Sequence, residues 1–468
     1  MQRIAIIGAG FSGAATAIQL LRRHGDKPLH LTLINRHPKL ARGVAYGTHS
    51  PTHFLNVPAA RMSLFPDDEG DFLRYARHAD PKAEGGSFLP RARYGEYLLT
   101  RLKEAAAGAT ASRFESRTGE VTHLELVAGG ARLHFADGGE LESDRVVLAS
   151  GNYPPTDPWL PDDSVYRSAR YIRDPWAEAA LDAVDPSQPV LLIGTGLTMM
   201  DVALELDRRD LSRQMFALSR RGLMPLPHRD GRHEAPDVSE LLDELRTGRA
   251  AIRRYLRVLR RYVVALGKRG ADWRDLLAAL RPHTAELWQS LDEGERRRFL
   301  RHVQPYWDTH RHRTAPDAHA LLQRLIAGGR LTVRAGRLLD LKAFEAKRIE
   351  LTWRPRGGSG QERLEVGTVI NCTGPQGALR RSSDPLIKSL LRQGLLTADP
   401  LNLGLEVDAA GAILDQHGRA SATLFYTGPL LKARDWECTA VPELRVAAQK
   451  LADTLVASFS AGARARQG

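Results

Sequence analysis

Cysteine is almost missing from the chain: Cys372 and Cys438 are the only two among 468 residues. Two cysteines so far apart exclude the disulfide framework of small secreted domains, and they leave no CxxC pair for dithiol chemistry. We therefore expect a protein of a reducing compartment, the cytoplasm.

Long apolar runs are also missing. No stretch reaches the ~20 uninterrupted apolar residues that span a bilayer. The start, MQRIAII, runs directly into glycines, which suits a strand and a turn better than a secretion signal. We expect no membrane partner.

Acidic residues are outnumbered, with 55 Asp and Glu against 67 Lys and Arg and a formal charge of +12. A basic balance can serve nucleic acid, anionic membranes or anionic small molecules. The arginines are spread along the chain, are densest over 246–261, and have no basic motif with interleaved aromatics beside them. This distribution favours solvated helix faces, so we expect no nucleic-acid partner.

A cluster of glycines near the start of the chain has a spacing that indicates a binding site. GAGFSG at 8–13 lies between the apolar run RIAII and AATAIQLLRRHG, which predicts a helix ending at Gly25, and HLTLIN then predicts a second strand. In such a βαβ unit Gly8 permits the turn, Gly10 admits a pyrophosphate, and Gly13 lets helix and strand pack closely. The phosphates would lie at the positive end of the helix.

A second turn, GTGLTM at 194–199, lies between PVLLI and MDVALELDRR, and QMFALS predicts the following strand. Met199 replaces the third glycine, so we expect this helix to lie slightly farther from its strand. Ser219, Arg220 and Arg221 follow where an NAD site would have a carboxylate. A guanidinium there suits a 2′-phosphate and predicts NADPH, unless these arginines are only solvated loop residues.

Asn35 ends the second predicted strand, at the position that usually carries a ribose-binding acid. Its amide can hydrogen-bond a ribose hydroxyl, although it lacks the charge that strengthens such bonds. A plain turn residue at the end of a strand is the alternative.

Further strands organise the rest of the chain. DRVVLASGNYPP at 144–155 and GTVINCTGP at 367–375 each run into a glycine turn and a proline, as expected where the chain passes between nucleotide domains. SATLFYTGPLL predicts another strand and turn, and TAVPELRVAAQKLADTLV predicts a helix with Pro442 in its first turn.

We predict an α/β protein with two Rossmann-like dinucleotide-binding domains. The predicted boundaries are 1–160 and 375–468 for the two parts of the FAD domain, 161–374 for the NADPH domain, and about 235–330 for a helical insert within the latter.

Two such units resemble the flavoproteins that bind FAD and NADPH in separate domains. Residues 43–99 also resemble the segment of flavin-containing and N-hydroxylating monooxygenases in which a loop with an asparagine lies beside the isoalloxazine ring. On the stretches LNVPA, LRPH, YWDTHRHR, NCTGP and WECTAVPE, the chain is identified as a member of the bacterial FAD-NAD(P)-binding protein family. The resemblance covers nearly the whole chain.

The resemblance implies FAD in the first cradle, NADPH in the second, and O₂ and a small molecule as the other reactants. Reduced flavin would form a hydroperoxide that oxygenates an amine or another soft nucleophile, while the protein orients and desolvates the reactants. Asn56 would be the hydrogen-bonding neighbour of the flavin, or else a plain loop residue. An NADPH-dependent flavin reductase or electron-transfer protein, and a flavoprotein sensor without turnover, are the alternatives. We expect the helical insert to shape the substrate pocket, and the sequence does not decide between a monomer and a homo-oligomer.

The predicted cofactor-binding residues lie in the two cradles and in the turns after neighbouring strands, and two more enter by resemblance. They are Gly8, Gly10, Phe11, Ser12, Gly13, Asn35, Arg36, Met62, Ser150, Gly151, Gly194, Gly196, Thr198, Ser219, Arg220, Arg221, Thr373, Gly374, Gly428, Trp436 and Glu437. Trp436 and Glu437 are the two taken from relatives, in which this segment lies close to the flavin.

HRHR at 310–313, with Asp308 and His302 nearby, offers side chains of metal-ligand type. Histidines two positions apart point away from each other on a helix and converge on one ion only in particular loops. We expect no metal here and favour an ion cluster that faces a phosphate or joins domains.

Differences from related flavoprotein families narrow the range of reactions expected of this chain. In the linker that resembles that of Baeyer-Villiger monooxygenases, Trp176 is kept, but Ser168 and Ile172 replace the glycine and the histidine, which disfavours ketone oxygenation. Disulfide reductases have an aspartate in the late glycine turn, where Pro429 follows Gly428 here. Oxygenation of an amine or another soft nucleophile is therefore the leading prediction.

Overall fold

The computed structural model describes residues 1–24, 28–210, 213–229, 235–344 and 348–464. The strands, in chain order, are β1 (Gln2–Ile7), β2 (Leu29–Asn35), β3 (Arg113–Thr118), β4 (Val121–Val127), β5 (Gly130–Phe135), β6 (Glu140–Ser143), β7 (Arg145–Leu148), β8 (Tyr171–Ile172), β9 (Val190–Ile193), β10 (Met215–Ser219), β11 (Leu331–Phe344), β12 (Arg348–Pro355), β13 (Glu362–Val366), β14 (Thr368–Asn371), β15 (Ala412–Leu414) and β16 (Ala420–Tyr426).

Helices alternate with these strands. They are α1 (Phe11–Arg23), α2 (Gly43–Tyr46), α3 (Asp71–Ala79), α4 (Arg91–Gly108), α5 (Leu197–Arg209), α6 (Ser239–Arg246), α7 (Ile252–Gly267), α8 (Trp273–Leu280), α9 (Thr284–Gln289), α10 (Glu293–His302), α11 (Gln304–Arg311), α12 (Pro316–Ala327), α13 (Pro385–Arg392) and α14 (Val441–Arg464). Short 3₁₀ turns lie at Ala59–Arg61, Ser164–Arg167, Arg281–His283, Leu379–Arg381 and Pro429–Ala433.

The first sheet has the strand order β15-β16-β7-β1-β2-β3, with β16, β7, β1, β2 and β3 parallel. Its central strands are continuous apolar runs because helices cover both faces of a parallel sheet. α1 is buried along most of its length. It begins at Phe11, earlier than predicted, since Ser12 and Gly13 already form its first turn; the predicted end at Gly25 lies outside the described residues.

The second sheet has the order β13-β12-β11-β10-β9-β14-β8, in which β11, β10, β9, β14 and β8 run parallel. β11 continues into an antiparallel pairing with β12, and β13 forms the edge. The predicted α/β class is confirmed by these two layered sheets.

The region predicted as a helical insert holds α6 to α12. α6 to α10 pack around one core that contains Tyr255, Trp288 and Phe299. α12 instead joins the core of the second sheet, where its Leu322 is grouped with Met199 of α5. It is therefore the crossover helix between the parallel strands β10 and β11. The proposed domain boundaries stay a prediction.

The two segments predicted to pass between domains lie side by side. The first leads from β7 of one sheet to β8 of the other, and the second leads from β14 back toward β15. They pair in antiparallel fashion at Tyr153 and Gln376, and the Asn371 amide donates to the carbonyl of Thr156.

Strands β4, β5 and β6 form a separate antiparallel sheet. α13 packs against β4. Gln393, the residue that follows α13, donates a hydrogen bond from its side-chain amide to the carbonyl of Leu124. Among the helices of the described ranges, none has the length and apolar character needed to cross a membrane.

Candidate functional site

The parallel strands of the first sheet end at one common edge. Ile7 of β1 lies opposite Leu148 of β7, and Leu148 lies opposite Tyr426 of β16. Ile34 of β2 also pairs with Ile7. The turns that begin at Gly8, Asn35, Ala149 and Thr427 therefore meet at this edge, where open α/β sheets bind their ligands.

The first cradle needs glycine for steric reasons. Gly8 has a φ of +107°, and a Cβ there would lie 2.2 Å from the carbonyl oxygen of Ala149. A Cβ on Gly13 would lie 1.8 Å from the carbonyl oxygen of Gly8. A side chain at Gly8 would collide with the segment that follows β7, and one at Gly13 would push α1 away from the turn, so close packing excludes a side chain at both positions.

The start of α1 is open to a ligand. Its N-cap is Gly10, no side chain of the described residues caps it, and its first turn holds no acidic residue. The free N–H groups and the positive end of the helix dipole then favour an anion such as a pyrophosphate. Phe11 and Ser12 follow in this turn and are both buried.

Buried hydroxyls without partners line the same edge. The Ser150 Oγ and Thr427 Oγ1 atoms are buried and have no hydrogen-bond partner among the described residues. Gly151 has a φ of +72° and open space around it, while a Cβ on Gly428 would lie 3.6 Å from the Ser12 Oγ. Unpaired buried polar atoms are costly, so this edge suits a ligand that offers hydroxyl and phosphate groups.

Asn35 and Arg36 are occupied by the protein itself. The Asn35 amide donates to the carbonyls of His37 and Lys39, at 2.6 and 3.0 Å, and its oxygen accepts the N–H of Ala9 at 3.4 Å. These bonds make Asn35 a brace for the cradle, as in the turn-residue alternative. Its ribose contact stays a prediction.

Arg36 pairs with the buried Asp384 at 2.6 Å and with Glu120 at 3.3 Å. Met62 is 1% exposed and packs in the core of the first sheet. Contacts from Arg36 and Met62 to a cofactor stay predictions.

The second cradle repeats the geometry of the first. Gly194 has a φ of +112°, and a Cβ there would lie 2.5 Å from the carbonyl oxygen of Cys372 on the neighbouring strand. Gly196 is the N-cap of α5, which no side chain of the described part caps, and a Cβ on Gly196 would meet nothing within 4 Å. A free helix start beside empty space is again suited to a phosphate.

Three other predicted residues surround this second cradle. Thr198 is half-buried in the first turn of α5. Thr373 donates its N–H and its hydroxyl to the Asn371 side-chain oxygen, at 3.1 and 2.7 Å, and Gly374 follows with a φ of +87°. Asn371 thus fixes the turn after β14 next to Gly194.

Arginines converge at the end of β10. The Ser219 hydroxyl accepts the N–H of Gly222 at 2.9 Å and so shapes the turn that presents Arg220 and Arg221. Arg220 is exposed and has no acidic partner within the described ranges. The Arg221 guanidinium lies 5.4 Å from the Tyr306 ring centre.

Arg356 is a member of this cluster that the sequence did not reveal. Hydrogen bonds from Arg356, then Arg221, hold the pKa of the Tyr306 hydroxyl below its usual value. The N–H of Arg356 donates to Ala335, whose strand β11 pairs with β10 at Ser219. Only this pairing of strands distant in sequence places Arg356 beside Arg221.

Asn56 lies in a loop that joins the two halves of the site. Its carbonyl accepts a hydrogen bond from His228 Nε2 at 3.0 Å, while its side-chain amide has no partner among the described residues. Next to it, Arg91 donates to the carbonyl of Phe54 at 2.9 Å and to Asp201 of α5 at 2.7 Å. The loop is therefore tied to the second unit, and the Asn56 amide stays free to bind a ligand.

His228 is a residue that sequence reasoning missed. Burial first, and then the charge of Arg313, lower its pKa to about 4, so the ring is neutral at neutral pH. Its backbone N–H donates to the carbonyl of Thr314 at 3.0 Å, and its ring packs against Phe88. A lone histidine after LMPLP gives no sequence signal for this position.

Two stretches that carry the family resemblance meet in a buried ion cluster. Trp307 Nε1 donates to the Glu437 carboxylate at 2.7 Å, and Arg311 lies 3.1 Å from its other oxygen. Burial alone would raise the pKa of Glu437, but Arg311, His312 and the Trp307 N–H together hold it below its usual value. This pair links the insert to the C-terminal part of the chain, as expected for an ion cluster that joins domains.

Trp436 has a different environment from the one expected by resemblance. It is 4% exposed, and its ring lies 4.7 Å from the ring of Trp288 and 5.0 Å from that of Phe299. The Lys432 ammonium lies 4.3 Å from the same ring. These contacts give Trp436 a place in the core of the insert, and they offer no support for a contact with a cofactor.

Comparison with known proteins bears on the fold and on the first domain. Residues 5–153 match the family model described as FAD-NAD(P)-binding. No curated protein matches the sequence.

Solved structures match nearly the whole chain. L-lysine 6-monooxygenase from Pseudomonas syringae has a TM-score of 0.66 at 19% identity, covering 98% of this chain and 100% of that one. The reduced form of ornithine hydroxylase from Pseudomonas aeruginosa has a TM-score of 0.64 at 17% identity, covering 98% and 100%. The ornithine N-hydroxylase of Kutzneria sp. 744, solved with reduced FAD, NADP⁺ and L-ornithine, has a TM-score of 0.63 at 13% identity, covering 97% and 98%. At these identities the likeness establishes the fold.

We expect the buried Glu437 pair to dominate the stability of the insert. Glu437→Gln leaves Arg311 buried and unpaired, and breaking such a pair costs about 3–5 kcal/mol. The free energy of unfolding in urea at neutral pH should fall accordingly, while Arg311→Met combined with Glu437→Gln should cost less than the sum of the two single changes. Glu293→Gln, which breaks an exposed pair with Arg297 in the same insert, is the control and should cost under about 1 kcal/mol.

The Glu437 carboxylate should make the free energy of unfolding depend on pH. Because the folded-state pKa of Glu437 lies below its ordinary value of 4.5, its contribution is complete above pH 4.5 and is lost as the pH falls through the folded-state pKa. The Glu437→Gln protein should lack this part of the loss on acidification. An equal acid-side loss in both proteins, or additive single changes, would contradict the assignment.

Proposed function

We propose that this chain, whose residues 5–153 form an FAD-NAD(P)-binding domain, is an FAD-dependent, NADPH-consuming monooxygenase that oxygenates the nitrogen of an amine. The observation that carries the proposal is the free Asn56 amide on a loop bound to both units. A monooxygenase of this class needs a polar group beside the flavin where oxygen reacts, and we assign this role to the Asn56 amide.

The first cradle fits FAD. Gly10 and the uncapped start of α1 would receive the pyrophosphate, and the unpartnered Ser150 and Thr427 hydroxyls would bind polar atoms of the cofactor. FAD bound there supplies the redox chemistry and the activation of O₂, while the protein supplies orientation and the exclusion of water.

The second cradle fits NADPH. Gly196 and the start of α5 would hold its pyrophosphate, and the Arg220, Arg221 and Arg356 guanidinium groups would surround the 2′-phosphate. Arg220 has no acidic partner in the described ranges that would compete with a phosphate. This charge excess favours NADPH over NADH.

Several side chains tie the Asn56 loop and the start of α4 to α5. The pair of Arg91 and Asp201 is 15% and 13% exposed and joins the start of α4 to α5. Ser50, in the Asn56 loop, donates to Glu205 farther along α5. Because His228 also binds the Asn56 carbonyl, the Asn56 loop is held by contacts from three residues.

The substrate we propose is an amine that also carries an anionic group. The structural neighbours act on L-lysine, ornithine and cadaverine, all of them amines. Arg313, near His228, has no acidic partner in the described ranges, and burial followed by the charge of Arg311 lowers its pKa to about 10. Asp275 offsets this charge only in part, because it pairs with Arg229, so the desolvated guanidinium favours a carboxylate in the ligand, as in the first two of these amines.

Disulfide reduction receives no support from the cysteines. More distant structural likeness extends to the thioredoxin reductase of Lactococcus lactis, with a TM-score of 0.50 at 12% identity. Cys372 and Cys438 are both buried and unpaired, and burial raises the pKa of both thiols. A thiol kept protonated and away from its substrate is a poor redox centre.

We also infer a cytoplasmic location from the near absence of cysteine, with a small-molecule amine and O₂ as the partners.

The proposal is tested by reducing the flavin-loaded protein with NADPH without oxygen and then adding isotope-labelled O₂ together with L-ornithine, L-lysine or cadaverine. We expect NADPH to bleach the flavin and labelled oxygen to enter the amine, with the two amino acids preferred over cadaverine. Stoichiometric peroxide without an oxygenated amine would indicate a reductase, and failure of NADPH to bleach the flavin would indicate a sensor. Either result would overturn the proposal.

Arg220→Ala should weaken NADPH selectively. A charge-assisted contact contributes about 1.5–3 kcal/mol, so the KM for NADPH should rise roughly ten- to hundredfold. The KM for NADH, which has no 2′-phosphate, should barely change, and this coenzyme serves as the control in the same steady-state assay. Equal losses with both coenzymes would remove Arg220 from the phosphate site.

Asn56→Ala should uncouple NADPH oxidation from oxygenation. Reduction of the flavin by NADPH precedes the entry of oxygen, so its rate should stay nearly unchanged. Loss of the amide hydrogen bond at the reacting oxygen should instead divert electrons to peroxide and lower the oxygenated product per NADPH consumed. The measurement is peroxide and product per NADPH at matched FAD occupancy. Unchanged coupling would leave Asn56 as a loop residue.

A further inference from the structure

The small antiparallel sheet carries two histidines and a glutamate on one face. His123 of β4 lies directly opposite His134 of β5, with ring centres 5.4 Å apart. Glu125 is two residues beyond His123, so its side chain points to the same face as His123. Antiparallel pairing thus brings together three ligand-type side chains that belong to neither cradle.

The donor atoms are spaced as ligands of one ion. The Glu125 Oε1 atom lies 3.7 Å from His123 Nε2 and 3.6 Å from His134 Nε2, and the three atoms all lie within 4.8 Å of one another. Zinc bonds of ~2.0–2.1 Å at tetrahedral angles separate neighbouring ligand atoms by about 3.3 Å. The two distances to Glu125 exceed this value by a few tenths of an ångström, and rotation of the imidazole rings would bring the two histidine nitrogens toward the same separation.

Both imidazole rings have a partner at the other nitrogen. His123 Nδ1 is hydrogen-bonded to Ser389 Oγ at 2.5 Å, and His134 Nδ1 lies 3.2 Å from Glu140 Oε1. Metal-binding histidines are oriented in this way, because a bond at one nitrogen fixes the tautomer that presents the other to the ion. Ser389 is 3% exposed on α13, so the partner of His123 is itself fixed.

His134 Nε2 supplies an independent observation. The atom is buried and has no hydrogen-bond partner among the described residues. In the tautomer in which Nδ1–H donates to Glu140, Nε2 turns a lone pair toward the Glu125 carboxylate. The Glu125 side chain is 49% exposed, and a cation between these two electron-rich atoms, 3.6 Å apart, would remove the repulsion between them.

We propose that His123, Glu125 and His134 bind one Zn²⁺ ion, with the fourth position open to water. Two imidazoles and one carboxylate suit a borderline transition-metal ion, whereas Mg²⁺ and Ca²⁺ prefer sets made only of oxygen. The ion would join β4 to β5, and through Ser389 it would tie both strands to α13. Its role is structural, since none of its ligands belongs to either cradle.

The experiment is a titration of chelator-treated full-length protein with Zn²⁺ against a chromophoric indicator. We expect one site in the wild type, its loss in His134→Ala, and its strong weakening in the near-isosteric Glu125→Gln. Glu140→Gln removes only the outer partner of His134 and should weaken the site about 10- to 100-fold. His78→Ala, an exposed histidine on α3, is the control and should bind as the wild type does.

Two further measurements separate this site from other causes. Zn²⁺ should raise the Tm of the wild type and of His78→Ala but not that of His134→Ala, and Mg²⁺ should not compete. Flavin content and circular dichroism should match among all the variants, which shows that they fold. Equal Zn²⁺ affinity in the wild type, Glu125→Gln and His134→Ala, or competition by Mg²⁺, would overturn the proposal.

Discussion

The architecture depends on one steric constraint that occurs twice. At the end of β1 in the first sheet and of β9 in the second, the backbone passes so close to a carbonyl just after the neighbouring strand that a Cβ cannot fit. Gly8 meets Ala149 in the first sheet, and Gly194 meets Cys372 in the second. This close approach lets the turn fold back into a helix whose N-terminus stays uncapped. A phosphate cradle is thus a consequence of strand packing as much as of the glycine pattern itself.

The two cradles gain their functional relation from side chains at the junction. Pairing of the crossing segments at Tyr153 and Gln376 fixes one side of the junction. The Asn56 loop fixes the other, through Arg91 to Asp201 and through His228. If FAD and NADPH bind as proposed, holding both sides would let electrons pass from one unit to the other without a large rearrangement.

Local pattern was enough to predict the strands β1, β2, β7, β9, β10, β14 and β16 and the helices α1, α5 and α14, but not the remaining strands or the other helices outside the insert. The runs before Gly8 and Gly194 are continuously apolar because parallel strands are buried on both faces, and that signal is independent of the rest of the chain. Local pattern could not predict contacts between residues that are far apart in the sequence. Arg356 reaches the arginine cluster only through the pairing of β10 with β11, and nothing near it in sequence indicates a coenzyme.

The resemblance to known families and the physical pattern of the sequence were informative about different features of the structure. Trp436 was assigned to the flavin because of its place in a relative, yet its ring packs against Trp288 and Phe299. The adjacent Glu437 was assigned on the same ground, and its contacts are with Trp307 and Arg311. A resemblance transfers the position of a segment more safely than the environment of a side chain. The histidines of the small sheet escaped both approaches, because His123 and His134 become neighbours only through strand register.

The buried Glu437 pair helps to fix how the insert is attached to the rest of the fold. An ion pair removed from water is a weak source of stability, but a mismatch in it is strongly penalised, so it specifies one arrangement over its competitors. Here it joins α11 to the segment just before α14, which belongs to the first sheet's half of the molecule. Other contacts between the insert and the same C-terminal segment act in the same direction: Trp288 donates to the carbonyl of Ala433, and Arg281 pairs with Glu443. The insert is thereby held in one orientation relative to the segment that leads into α14.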